Sequence, residues 1–340
     1  MQSYLFKYLP MVLIFLISCT ENKQPKSDDL SNIIVNQSIY FSAIHLESND
    51  DHRAIINFEI CNGKILATDN NMLSIAVYDL EGKFINSYTS KGRGPGDFEQ
   101  VLGNILCLSN GDIVVREGFN RLHYFNIDLG FIKTETVTNL DSRIYNLLAE
   151  TDSTYVVDFL TTKAINDEHF AIIDKNTLEV IDIIGYGVDY KNTYISLKNS
   201  IYSNGKIISG YTVTGKVRII DLETGTSRTF MTQHEKTIDQ ISEGMSSPFD
   251  RFPNERDIEV RTRGRAIHSI AVFNDEIYVI RDYFTENPKD YLEVFDFDGN
   301  LVRKYPLQYG IDNIKIINGS MYGISRGGYE DFTLYKIYLG

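Results

Sequence analysis

The stretch Cys61-Asn62-Gly63-Lys64-Ile65-Leu66-Ala67-Thr68 decides the fold, because a two-residue turn signal, Asn62-Gly63, runs straight into a short apolar segment. Asn, Asp and Gly tolerate the positive φ that tight hairpins demand, so such a pair marks where one strand folds back antiparallel on the next. The signal recurs at Asn110-Gly111, Asp152-Ser153, Asn204-Gly205, Asn274-Asp275 and Asn318-Gly319, at steps of 48, 42, 52, 70 and 44 residues. These steps are near the length of a four-stranded propeller blade. Six signals predict six blades.

Aligned on the pairs, each unit shares one grammar. An inner strand precedes the pair, as in Val101 to Leu108 or Ser269 to Phe273, and a second follows it, as in Lys64 to Thr68, Lys206 to Ser209 or Glu276 to Ile280. A third strand ends in an acidic or polar turn, as in Ile75 to Asp79 before Glu81-Gly82, and a fourth follows, as in Lys83 to Tyr88. These runs are short and rich in Ile, Val and Tyr, as buried strands are. The last unit stops after its third strand, Phe332 to Tyr338, which would leave an exposed edge that β proteins avoid. Ile39 to Leu46 belongs to no unit and can supply the missing strand. The predicted fold is therefore all-β: a six-bladed β-propeller of four-stranded antiparallel blades, closed by the N-terminal strand, over residues 32–340.

Residues 1–18 read as an export signal, with Lys7 ahead of a mostly apolar stretch from Tyr8 to Ile17. A transmembrane helix needs about 20 apolar residues, and this stretch is roughly half that. Leu16-Ile17-Ser18-Cys19 resembles the lipobox of bacterial lipoproteins, which implies acylation of Cys19 and a polar tether over residues 19–31. Each buried methylene of an acyl chain contributes about 0.8 kcal/mol to membrane anchoring. Thr20-Glu21-Asn22-Lys23 lacks the retention Asp of inner-membrane lipoproteins, so the expected location is a lipid anchor in the outer membrane of a bacterial envelope. Counting from the turn pairs puts Cys61 one residue before its pair and Cys107 three before, heights at which a disulfide would require backbone movement. Buried free thiols are the expectation for both.

The net charge of −13 argues against nucleic acid as a partner, since that binding rests on clustered Lys and Arg. Hydrophobic residues make up 43% of the chain, enough for a large core or several stacked ones. There is no Trp, so any stacking on sugar rings would fall to the 22 Tyr and 19 Phe.

After the fourth strand of the first unit comes Lys91-Gly92-Arg93-Gly94-Pro95-Gly96-Asp97-Phe98. It resembles the G-x-G-P-G-[DE]-[FY] signature of six-bladed, TolB-like and NHL-like propeller lipoproteins of bacterial envelopes. The Ile39-Tyr40-Phe41-Ser42 strand is similar to theirs as well. The resemblance implies an envelope lipoprotein with a ligand or partner surface and no defined reaction.

In a propeller the first-to-second and third-to-fourth turns lie on one side, and the longer connections lie on the other, where functional loops gather around the channel. Four features fall there. Arg93 sits among glycines whose backbone amides could approach an anion, although Gly and Pro could equally serve only to shape a tight crossover. An insertion over about residues 232–265, between the fourth and fifth blades, carries Arg263 among five arginines interleaved with acids, which is compatible with a lid or with local salt pairing. Second-strand ends contribute Asp69, Arg116, Asp158, Tyr211, Arg281 and Arg326. Phe119, Tyr211, Tyr283, Phe284 and Tyr329 add aromatic surface. Arginines at the mouth of an acidic body suggest recognition of carboxylates, phosphates, or sulfated and uronic sugars through the planar guanidinium fork, while strand-end residues bridging neighbouring blades would look the same.

The expected ligand-binding set is Arg93, Arg116, Asp158, Tyr211, Arg263, His268, Arg281, Tyr283 and Arg326, with Cys19 lipidated. No catalytic residue, metal site or cofactor is expected. His268, next to the insertion, is the one histidine to test as an acid or base, because the six histidines have no metal-ligand spacing and no G-x-S-x-G elbow is present. The leading expectation is a membrane-anchored, non-catalytic binding or scaffold protein for a glycan, peptide or envelope protein. The alternative is a metal-dependent hydrolase or lyase holding Ca²⁺ in the channel, where Asp69 and Asp158 supply too few carboxylates.

Overall fold

A computed structural model describes residues 39–46, 55–70, 72–138, 142–161, 167–187, 198–212, 215–232, 267–282, 290–326 and 332–339. The expected export signal, the tether and nearly all of the insertion lie outside these residues. Among the described residues there are 24 strands and no helix.

The strands form six sheets of four. Blade one is β2 (Ile55–Cys61), β3 (Lys64–Asp69), β4 (Ser74–Asp79) and β5 (Phe84–Thr89); blade two is β6 (Leu102–Cys107), β7 (Ile113–Glu117), β8 (Arg121–Phe125) and β9 (Phe131–Thr136). Blade three is β10 (Ser142–Glu150), β11 (Thr154–Thr161), β12 (Asp167–Asp174) and β13 (Val180–Gly187); blade four is β14 (Lys198–Ser203), β15 (Lys206–Tyr211), β16 (Lys216–Asp221) and β17 (Ser227–Met231). Blade five is β18 (Ser269–Phe273), β19 (Glu276–Asp282), β20 (Asp290–Asp296) and β21 (Leu301–Pro306). Blade six is β22 (Asn313–Ile317), β23 (Ser320–Arg326) and β24 (Phe332–Leu339), completed by β1 (Ile39–Ile44). The register of β1 on β24 runs from Ile39 opposite Leu339 to Ile44 opposite Leu334, so the N-terminal strand closes the ring.

Side chains alternate between the two faces of a strand, so each blade sends one apolar set forward and one back around the ring. In β3, Ile65 and Ala67 pack toward blade six while Leu66 packs toward blade two. Six apolar clusters result, one per seam. Among the described residues, the cluster between blades three and four is the smallest, built on Val156, Phe170, Ile207 and Ile220. At the closing seam, Ile44, Ile55 and Phe58 meet Tyr322, Ile324 and Leu334, and Lys315 of β22 pairs with Glu59 of β2 at 2.7 Å.

The turn pairs behave as expected at Asn62-Gly63, Asn204-Gly205, Asn274-Asp275 and Asn318-Gly319, where both residues have positive φ. At Asn110-Gly111 only the glycine does, and the turn is one residue longer because Leu108 N–H donates to Asp112 O. Asp152-Ser153 uses neither: Thr151 N–H donates to Thr154 O while the Thr151 hydroxyl accepts Thr154 N–H.

Cys61 and Cys107 are not free thiols; they form a disulfide with 5.8 Å between their Cα atoms. The expectation failed because equal height was the wrong criterion. Residues at one height on adjacent blades point the same way around the ring, whereas an offset of one residue turns two side chains toward each other. Cys61 lies opposite Lys64 and Cys107 opposite Ile113, and the longer turn of blade two reduces the apparent offset of two to one. Both sulfurs therefore enter the seam between blades one and two.

Candidate functional site

The inner strands carry a small polar residue at one level: Asn57, Asn104, Asn146, Asn199, Ser269 and Asn313. Several of them fasten one blade to the next. Asn104 accepts Leu147 N–H and donates to Leu147 O, Asn199 donates to His268 O, and Ser269 Oγ accepts Ile314 N–H while donating to Asn313. These bonds keep the strands around the channel in register, so the ends of the second strands sit at a fixed mouth.

The second-strand residues singled out from sequence fall on two faces there. Asp69, Tyr211 and Arg281 point back toward the preceding blade, in step with Ile65, Ile207 and Ile277; Arg116 and Asp158 point forward, in step with Val114 and Val156. Asp158 and Tyr211 thus belong to the same seam, between blades three and four, and both are buried. Arg281 is buried against Glu293 at 3.1 Å, and Glu293 also pairs with Lys304 at 3.2 Å. Its charge serves an ion triad inside blade five. His268 lies 3.8 Å from the Asp312 carboxylate and is partly buried. Arg326 ends β23, with its side chain outside the description, and Arg263, Tyr283, Phe284 and Tyr329 lie outside the described residues.

The Gly92 to Phe98 loop is held by its own carboxylate. Asp97 accepts the Ser90 hydroxyl and, at 2.8 Å, Gly94 N–H, and these two bonds hold its carboxyl below the usual range. A Cβ on Gly92 or Gly94 would collide with that carboxylate, and one on Gly96, at φ 87°, would meet the Tyr88 hydroxyl. Gly92 N–H bonds to Phe98 O. Phe98 is fully buried against Phe125 and the His123 ring. The motif therefore shapes the crossover. Arg93 is left 95% exposed, paired with Glu99 at 2.9 Å.

Glu117 fixes the far end of this crossover, and sequence reading passed over it. Its Oε1 accepts the Glu99 and Gln100 backbone N–H groups, while Oε2 meets His123 Nε2 at 2.7 Å and Arg121 at 3.0 Å. Burial raises its carboxyl, but the bonds from His123, Gln100 and Glu99 outweigh that and hold it below the ordinary value. Thr134 Oγ1 lies 2.9 Å from His123 Nδ1, so both ring nitrogens are engaged.

Beside this crossover, between blades two and three, three large apolar side chains are exposed. Val101, Phe119 and Tyr145 are 58%, 41% and 37% exposed. They are tied together through the backbone, Gly118 N–H to Val101 O and Ile144 N–H to Phe119 O. Arg116 lies among them, donating to Gly118 O, and burial lowers its guanidinium from the ordinary value, with Tyr145 opposing. It has no ion pair among the described residues, and its Nε meets no acceptor. The structure thus joins Arg116 and Phe119 with Tyr145, a residue whose only sequence signal is its place just before the inner-strand Asn146. Among the described residues, no group of three or more His, Cys, Asp or Glu side chains could hold a metal ion.

The ring and its mouth define a six-bladed β-propeller. A family model described as DUF5128, 6-bladed beta-propeller, matches residues 21–242, and the chain belongs to that family. No curated protein matches the sequence. Among solved structures, a DUF4221 family member from Bacteroides vulgatus ATCC 8482 is similar at 13% identity and a TM-score of 0.60, covering 89% of this chain and 97% of its own. BF0058 of Bacteroides fragilis NCTC 9343, named as an exported protein, gives 13% identity and 0.58, covering 89% and 95%. A luciferin-regenerating enzyme gives 10% identity and 0.54, covering 88% and 95%. At these identities the likeness is one of fold.

Proposed function

We propose that this chain is an exported, lipid-anchored, non-catalytic propeller of the outer membrane that captures a glycan, peptide or envelope partner on its channel-mouth side. The observation carrying this reading is Arg116, a half-buried cation without an ion pair among the described residues, set beside the exposed rings of Phe119 and Tyr145. Such a mixture of one polar anchor and partly exposed aromatic rings suits recognition. The tight-turn side offers short hairpins whose carboxylates are engaged by their own loops, as Asp79 is by Glu81 and Lys83 N–H groups. Export is supported by the apolar leader ending at Cys19, by the Cys61–Cys107 disulfide, which fits an oxidising compartment, and by likeness to a Bacteroides protein named as exported.

Two measurements test the reading. Metabolic labelling with a palmitate analogue should mark the wild-type chain in the membrane fraction and not Cys19→Ser; a labelled Cys19→Ser chain would refute the anchor. The chain purified in detergent should bind members of a panel of envelope glycans and peptides, and Phe119→Ala with Tyr145→Ala should abolish that binding. Binding that survives both changes would move the site elsewhere.

A further inference from the structure

The chemistry of the ligand can be narrowed on the reading just given, on which this inference rests. The inner strand of blade two bulges between Leu102 and Ile105, and Gly103 occupies the place that Ile56 and Tyr145 hold in the bulges of blades one and three. The vacancy has an occupant. A Cβ on Gly103 would collide with the Arg116 guanidinium, so the missing side chain is the slot through which Arg116 reaches across the inner strand.

Among the described residues, the guanidinium delivered there differs from Arg281, Lys304 and Lys175, each of which meets a carboxylate. Arg281 and Lys304 both have Glu293, and Lys175 has Glu150. Arg116 meets a single backbone carbonyl, although the chain carries 46 acidic residues from which a partner could have been drawn. A cation withdrawn from water without a counter-ion is unfavourable, and such an arrangement persists where an anionic ligand completes it. One guanidinium compensates one negative charge. A second cation would be needed beside it for a phosphate dianion, and Arg93 and Arg121 are already paired with Glu99 and Glu117. The rings of Phe119 and Tyr145 add flat apolar surface of the kind that stacks on a sugar face.

We infer that Arg116, in the slot opened by Gly103, anchors the carboxylate of a uronic-acid residue whose ring rests against Phe119 and Tyr145. The probe is trigalacturonate and its methyl ester, titrated calorimetrically into the full chain in detergent. The acid should bind and the ester should bind at least tenfold more weakly. Arg116→Met and Gly103→Ala should each weaken the acid by about tenfold to a hundredfold, the loss expected for charge-assisted bonds. Arg93→Ala should stay within about twofold.

Gly103→Ala keeps every charge and displaces only the flexible end of Arg116, so it separates placement from electrostatics. Arg116→Met should leave the melting temperature unchanged or raise it, which an arginine held for structure would not do. Equal binding of acid and ester, or unchanged binding by both variants, overturns the subsite and leaves the capture reading standing. Arg116-dependent binding of a peptide through its C-terminal carboxylate, with none of trigalacturonate, overturns the sugar assignment alone. A chain that binds no glycan and no peptide overturns both.

Discussion

At Glu117 one carboxylate takes four donors, from Glu99, Gln100, His123 and Arg121, and so joins the crossover between blades one and two to the sheet that follows it. Removing it strands two backbone N–H groups and a buried histidine. Glu117→Ala is expected to cost about 3 to 5 kcal/mol, the range for breaking a buried charged network, and Glu117→Gln less, because an acceptor for the loop remains. Urea unfolding reads the difference, and an unchanged midpoint for Glu117→Ala would contradict the role. Arg281 belongs to the same class: Arg281→Ala takes a buried cation from the buried Glu293, so its effect on binding would report stability. From sequence, Arg116 and Arg281 looked equivalent, since both end a second strand. What separates them is side-chain parity: Arg116 stands five residues after Gly111 and faces forward with Val114, whereas Arg281 stands six after Asp275 and faces back with Ile277, where Glu293 meets it.

Turns are where the chain was most legible, because Asn and Gly state their φ preference locally. The third-to-fourth turns add a second device. The carboxylates of Asp79, Asp174, Asp221 and Asp296 each accept N–H groups two to four residues ahead, and in blade two Asn126 does the same. Since an amide serves in blade two, the acceptor matters more than the charge. Asp296→Asn should therefore be nearly neutral and Asp296→Ala should lose about 1 kcal/mol, measured by thermal unfolding. The charge still leaves a mark in acid. Thr224 N–H and Lys206 lower Asp221 to about 2, and the Thr177 and Asn176 N–H groups lower Asp174. With folded values depressed, this stabilisation is complete above the ordinary value of 3.8 and lost as pH falls through about 2. Ellipticity at fixed urea should accordingly fall between those limits. The disulfide is the element the residues concealed, because it depends on which faces two neighbouring strands turn to each other. It closes a 46-residue separation, and Cys61→Ala with Cys107→Ala should cost about 2 to 4 kcal/mol in urea unfolding. An unchanged midpoint would remove it from the stabilising framework.

Across the whole molecule the ring was legible from both ends of the chain, since a last unit lacking its outer strand and a first run lacking a unit call for each other. The ligand was not, because the mouth is assembled from β6, β7 and β10, whose residues meet only after the blades have closed. The placement of that mouth rests on β1 completing blade six. The most direct test compares the urea unfolding of residues 32–340 with that of residues 47–340, which lack β1, with and without a synthetic peptide spanning residues 37–47. The closed-ring account predicts that the truncated chain loses its cooperative transition or unfolds at much lower urea, and that the peptide restores it. A truncated chain that unfolds at the full-length midpoint without the peptide would contradict it.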